Sequence, residues 1–65
     1  MTLGENVKRI RLEKGMTQEK LSDDSNVGRI TISRLESGEL QNPTIGTVKK
    51  LAEGLGVAES ELLSG

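Results

Sequence analysis

The sequence predicts an all-α fold, a compact bundle of five short helices. Apolar side chains recur at helical spacing with charged residues between them, and threonine and glycine stand where these segments start and stop. The 65 residues include no cysteine, histidine or aromatic residue. Disulfides are therefore impossible, and a zinc site would need carboxylates alone. The expected stability comes from tightly packed aliphatic side chains joined by short loops.

The first two helices are predicted from apolar spacing and from their end signals. Helix 1 is expected over residues 3–13 and stops before Gly15, a residue typical of helix C-termini. Helix 2 is expected to begin after Thr17, a good N-cap, and to end near Asp24, with Leu21 facing inward. The inward residues of helix 1 are Leu3, Val7 and Ile10.

Residues 28–36 allow either a strand or a helix by local pattern. Their β-branched residues and near alternation favour a strand, but each strand face would mix apolar and charged side chains. No second segment is available to pair with a strand, and an isolated strand is unstable. A helix places Gly28, Ile32 and Leu35 together on an inner face. Helix 3 is therefore predicted here, and its outer face carries Arg29, Ile30, Ser33 and Arg34.

The remainder of the chain predicts two more helices. A loop over residues 39–43 contains the single proline, and Thr44 then caps helix 4. A short last helix is expected over residues 59–63. The residues that keep helical period in helix 4 are Ile45, Val48, Leu51, Ala52 and Leu55. An apolar patch suited to a protein partner or a homodimer is expected from Leu12, Leu40, Leu62 and Leu63.

The outer face of helix 3 has the chemistry of a DNA-reading surface. Net charge is −1, from 9 basic and 10 acidic residues, and argues weakly against nucleic acid. Arginine, however, can bond in bidentate fashion to guanine, serine can bond to a base or a phosphate, and an aliphatic group can contact a thymine methyl. A short helix, a turn and this helix together make a helix-turn-helix, expected over residues 17–36.

Several short motifs, in this order and spacing, resemble the Xre-type helix-turn-helix domain of lambdoid phage repressors and Cro. They are RLEKG, TQEKL, ISRLESG, NPTIGTVKKLA and LGV, and the match runs from about Val7 to Leu63. No single motif is specific, but their succession is. The resemblance implies that residues 1–65 form a single domain, a λ repressor-like five-helix bundle. Helix 3 would then enter the major groove of a double-stranded DNA operator.

The resemblance also implies which residues contact DNA. Base readout falls to Gly28, Arg29, Ile30, Ser33 and Arg34. Gln18 matches a family glutamine that contacts a phosphate and supports the recognition helix, and Thr17, which precedes it at the start of helix 2, is expected to contact a phosphate as well. Arg11 and Glu36 match a family ion pair that holds helix 3 at a fixed angle.

Three departures from the family pattern have consequences. Asn26 replaces a turn glycine, and asparagine tolerates that conformation. Ser25 replaces a usually apolar residue, so a less well packed turn is expected. Glu39 lies where relatives often carry a basic phosphate contact, and its carboxylate repels the DNA backbone. That leaves Ser37, Asn42 and Thr44 to hold phosphates. A shallow salt dependence and modest affinity per domain follow, so we expect a homodimer on a two-fold-symmetric operator.

The predicted function is sequence-specific binding of double-stranded DNA by a transcriptional regulator, with repression expected. A restriction–modification controller or an antitoxin of the same fold remains open, as does a helical protein-interaction module that has lost DNA binding. An enzyme is the least favoured, because the chain has no histidine, cysteine or tyrosine and no serine with a visible base. No metal, cofactor or membrane partner is expected, and the expected location is the cytoplasm.

Overall fold

Five α-helices make up the secondary structure of the computed structural model, which describes residues 2–64. They are α1 (Leu3–Glu13), α2 (Gln18–Ser25), α3 (Arg29–Ser37), α4 (Ile45–Leu55) and α5 (Glu59–Leu63). No strand occurs in that range, so the all-α prediction is confirmed. The third helix begins and ends one residue later than predicted. Within the described range, every helix is too short or too polar to cross a membrane.

Threonine side chains start three of the helices, α1, α2 and α4. Thr17 and Thr44 each accept a hydrogen bond from the backbone N–H three residues later, at 3.0 and 3.1 Å. Thr2 does the same for Glu5, whose carboxylate in turn accepts the Thr2 backbone N–H at 2.8 Å. This reciprocal pair is a capping box that the sequence analysis missed. Each cap satisfies an N–H without a helical partner and is worth about 1 kcal/mol.

The turn between α2 and α3 is well packed. Asn26 adopts the left-handed conformation, with φ of 61°, as its side chain allows. Ser25 is buried, and its hydroxyl donates to the Leu21 carbonyl at 2.6 Å and accepts the Val27 N–H at 3.3 Å. The expectation of a less well packed turn is therefore wrong. The serine hydroxyl finds one partner in α2 and the other in the turn, and it does not have to reach solvent.

The core is built from aliphatic side chains contributed by all five helices and the turn after α2. Its members are Val7, Ile10, Leu21, Val27, Ile32, Leu35, Val48, Leu51, Ala52, Leu55 and Leu62. The α2 helix packs mainly against α4, and α1 packs mainly against α3. Ile32 and Leu35 are buried in this core, which confirms that this segment, observed over Arg29–Ser37, is a helix with an inner face and not a strand.

Three inward or outward assignments made from the sequence are wrong. Gly28 is exposed because it is the N-cap of α3 and precedes the first helical residue, so it does not join Ile32 and Leu35 in the core. Ile45 is 80% exposed, since it is the first residue of α4 and points away from the core. Leu62 is fully buried, whereas its neighbour Leu63 is exposed. The four leucines assigned to one apolar patch therefore do not share a surface. Leu12 and Leu63 line different grooves.

Two glycines allow helices to approach each other more closely than any side chain would permit. A Cβ atom on Gly4 would overlap the carbonyl of Leu35, so α1 and α3 meet backbone to backbone. A Cβ atom on Gly54 would lie 2.6 Å from the Cβ of Ser25, so α4 packs directly on the end of α2. Both glycines lie inside helices, where the residue itself is unfavourable by about 1 kcal/mol relative to alanine. The close packing explains their presence.

A buried asparagine ties the C-terminal helix to the first helix. Asn6 is 2% exposed, and its Nδ2 donates to the carbonyls of Leu62 and Ser64 at 2.8 and 2.7 Å. These carbonyls lie at the end of α5, where helical partners are lacking. Asn6 therefore satisfies the terminus of a helix that is only five residues long.

Candidate nucleic-acid interface

The five residues expected to read bases lie on one exposed surface at the start and outer side of α3. Gly28 caps the helix, and Arg29, Ile30, Ser33 and Arg34 are all exposed along it. Ile30 is 70% exposed between the two arginines, although its neighbour Ile32 is fully buried. Aliphatic residues on the inner side of the helix therefore anchor it in the core. Its exposed residues offer a ligand hydrogen-bond donors from the two arginines and Ser33, and an apolar contact from Ile30.

A buried ion pair fixes the end of this helix against α1. Arg11 donates from Nε to Glu36 Oε2 at 2.7 Å and from Nη2 to Glu36 Oε1 at 2.8 Å. The two side chains are only 9% and 4% exposed. Arg11 Nη1 also donates to the Met16 carbonyl at 2.7 Å. The pair suggested by the resemblance thus exists. Its burial distinguishes it from a solvated surface pair, which is worth under about 1 kcal/mol.

The same cluster includes the predicted phosphate-binding glutamine. Gln18 Nε2 donates to Glu36 Oε1 at 3.2 Å, which joins the start of α2 to the end of α3. The hydrogen bonds from Arg11 to Glu36 raise the pKa of the guanidinium above its ordinary value, and partial burial opposes this only in part. Arg11 therefore stays charged, and the cluster holds α1, α2 and α3 in one fixed arrangement.

The residues expected to contact phosphates lie mainly at helix starts. Thr17 and Gln18 begin α2, and they line a surface groove of about 530 Å³ that also includes Arg29. Thr44 caps α4, and Asn42 is exposed in the loop before it. The N-termini of helices favour anions, because their N–H groups and the helix dipole point outward.

Ser37 stands apart from this group. Its hydroxyl already donates to the Arg34 carbonyl at 3.1 Å and accepts the Glu39 N–H at 3.3 Å. Because a hydroxyl has a single proton, Ser37 would have to release its bond to Arg34 in order to donate to a phosphate.

One interaction at this surface was missed by the sequence analysis. Arg34 Nε lies 3.8 Å from Glu39 Oε2, so a residue expected to read bases is paired with the carboxylate expected to repel DNA. Gly38 is the last of the four residues between them, and its φ of 87° turns the chain back after α3. The available sequence signal was Gly38 itself, since a glycine at a helix C-terminus commonly turns the chain back and brings the next residue near the last turn of the helix.

This fold and surface define a helix-turn-helix DNA-binding domain. The chain belongs to the helix-turn-helix family, whose model matches residues 7–62. It is 42% identical over 62 residues to the uncharacterized HTH-type transcriptional regulator y4dJ of Sinorhizobium fredii, covering 95% of this chain and 79% of that protein. It is 32% identical over 63 residues to the immunity repressor protein of Bacillus phage phi105, covering 97% of this chain and 43% of that repressor.

A solved structure supports the same family. The restriction–modification controller protein C.AhdI from Aeromonas hydrophila is 30% identical and superposes with a TM-score of 0.86. The superposition covers 92% of this chain and 89% of that protein. These relatives are transcriptional regulators and a controller protein. The chain is accordingly a DNA-binding transcriptional regulator.

Proposed function

We propose that the protein represses transcription, in the cytoplasm, by binding as a homodimer to a two-fold-symmetric operator. The helix-turn-helix of residues 17–36, within one domain of residues 1–65, would present α3 to the major groove. The observation that carries the proposal is the exposure of Arg29, Ile30 and Arg34 along α3, whose Ile32 and Leu35 are buried in the core. Exposed arginines can pair with guanine edges, and Ile30 can contact a thymine methyl.

The remaining contacts follow from position on the domain. Gly28 has no side chain, so its backbone can approach a base or sugar closely, and Ser33 can bond to either a base or a phosphate. Thr17 and Gln18 at the start of α2 hold one phosphate, and Asn42 and Thr44 before α4 hold another. Ser37 joins them on giving up its internal hydrogen bond. Phosphate contacts of this kind set the register of the domain on DNA, and α3 supplies the specificity.

The proposed homodimer is formed through an exposed apolar surface near α5. Ile45 and Leu63 are 80% and 63% exposed, and they line one groove together with Leu3 and Pro43. A second copy would cover these side chains. A two-fold dimer of helix-turn-helix domains binds half-sites about 34 Å apart, one turn of DNA.

Selection of binding sites from random duplex DNA, followed by sequencing, tests the proposal. We expect a two-fold-symmetric motif, and we expect Arg34→Ala to relax one base position within it at a cost of about 1–3 kcal/mol. Arg9→Ala is the matched control, because it removes the same charge from a half-exposed arginine of α1. Recovery of no motif at low salt, by the natural chain or by a linked dimer, would leave a protein-interaction module as the better account.

A restriction–modification controller is a second candidate, supported by the high structural similarity to C.AhdI. A reporter gene placed behind the selected operator separates the candidates. A repressor lowers expression at every concentration of the protein. A controller that also activates raises expression over part of that range.

A further inference from the structure

The two arginines on the outer face of α3 have different surroundings. Arg29 has no side-chain ion pair or hydrogen bond with any residue from 2 to 64. Arg34 lies 3.8 Å from Glu39, measured from Nε to Oε2. Both members of this pair are exposed, at 58% and 68% of the side chain. One arginine is therefore available to any anion, whereas the other already has one beside it.

The backbone after α3 places Glu39 next to Arg34. The Leu40 N–H and the Ser37 hydroxyl both donate to the Arg34 carbonyl, at 3.0 and 3.1 Å. The Glu39 N–H donates to the Ser37 hydroxyl at 3.3 Å. These bonds fold the chain back over the last turn of α3. None of them uses the Glu39 carboxylate, so neutralising that carboxylate leaves the loop intact.

A guanidinium donates two parallel hydrogen bonds to two neighbouring acceptor atoms, and a carboxylate, a phosphate and a guanine edge each provide such a pair. At 3.8 Å the two side chains form an ion pair without a hydrogen bond, so Glu39 competes with DNA phosphates for the charge of Arg34. We propose that Glu39 is a specificity-determining residue, which holds Arg34 away from the phosphate backbone until a base edge with two acceptors displaces it. This inference rests on the proposed role of Arg34 in base readout.

Simple repulsion is the competing explanation. A carboxylate that only repels DNA weakens binding to every duplex by the same factor, and it does so whether or not Arg34 is present. A carboxylate that holds Arg34 weakens binding most where Arg34 would otherwise take a phosphate, on duplexes without the preferred base. The ratio of the two dissociation constants therefore distinguishes the two mechanisms.

The test measures Kd by fluorescence anisotropy on labelled duplexes, using the selected operator and a scrambled duplex of the same composition. Glu39→Gln is compared with Glu13→Gln, which removes the same charge from another exposed pair, that of Arg9 and Glu13 at 3.4 Å. Glu39→Gln should tighten binding to the scrambled duplex by about two- to fivefold, the range of an exposed ion pair, and change operator binding less. Glu13→Gln should leave the ratio unchanged.

Both variants are then repeated with Arg34→Met, which keeps most of the side-chain stem and removes the charge. In that background Glu39→Gln should no longer change the ratio of the two constants. Equal tightening on both duplexes, or a change in ratio that persists without Arg34, would overturn the inference.

A second readout concerns the free protein. The Arg34 Nε–H resonance in an NMR spectrum should shift on Glu39→Gln and stay in place on Glu13→Gln. An unmoved resonance would also overturn the inference. If the natural chain prefers no duplex at all, the proposed function fails and this inference fails with it. If it prefers the operator and Glu39→Gln leaves the ratio unchanged, the inference fails alone.

Discussion

Replacing Arg11 with methionine should destabilise the domain more than most other single changes in the chain. The substitution removes both charge-assisted hydrogen bonds to Glu36 and the bond to the Met16 carbonyl. The Glu36 carboxylate, 4% exposed, then keeps a single side-chain donor, Gln18 Nε2 at 3.2 Å. A buried carboxylate without a cation is costly, because its lost hydration is no longer compensated.

The expected cost is about 3–5 kcal/mol, the range for removing one partner of a buried ion pair. A domain of this length has a free energy of unfolding of about 3–10 kcal/mol. Thermal midpoints of small domains fall by about 4–8 °C per kcal/mol, so the midpoint should fall by about 12 °C or more. Circular dichroism of the helices is the suitable probe, because the chain has no aromatic residue to follow by fluorescence.

The double variant Arg11→Met with Glu36→Met provides the control. It replaces the pair by apolar side chains of similar length, and such exchanges are often neutral or stabilising. We expect its free energy of unfolding to lie within about 1 kcal/mol of the natural value. A single variant that loses less than about 1 kcal/mol would refute the reasoning, because the pair would then behave as a solvated one.

Three further predictions concern packing and capping. In urea unfolding, Gly54→Ala should lower the free energy of unfolding by about 1–3 kcal/mol despite better helix propensity, because the new Cβ meets Ser25. Gly46→Ala, at an open position, should raise it by about 0.5–1 kcal/mol. Asn6→Ala should cost about 1–3 kcal/mol, and hydrogen exchange should show its largest increase in α5. Hydrogen bonds from the N-cap residue Thr2 lower the pKa of Glu5, so the stability they give is present above the ordinary pKa of 4.5 and is lost as pH falls through the lower folded-state pKa. Glu5→Gln should remove that part of the acid dependence of stability, and an unchanged acid profile would contradict this.

The helices were predictable because their ends are encoded locally. Thr17 and Thr44 begin helices, Gly38 ends one, and the observed bounds of α3 differ by one residue from those expected. The helical nature of α3 required a longer argument, since Ile30 and Ile32 favour a strand locally. The absence of any pairing segment decided it. In a chain this short, the sequence alone shows whether a strand would have any segment to pair with.

Features that depend on distant packing could not be predicted from the residues alone. Arg11 and Glu36 are 25 positions apart, and only the family resemblance indicated that they pair. The burial of that pair became evident in three dimensions. Ile45 looked inward by period because a first helical residue can face either way, and only the neighbouring elements decide its direction. The DNA-contact residues remain predictions, although α3 does expose those assigned to base readout.

The contact between Gly4 and Leu35 belongs to the side of α3 that positions the helix, which is separate from the side exposed to a ligand. The position of α3 is set by a backbone contact with α1, by its buried inner residues and by the Arg11–Glu36 ion pair, and the exposed Ile30 and Ser33 take no part in any of these. Substitutions at Ile30 and Ser33 therefore leave the contacts that position α3 unchanged. A library randomised at those two positions should retain folded, stable members that recognise many different operators. On the proposed function, a lineage carrying this domain changes its operator by substitution at these positions without first having to rebuild its fold.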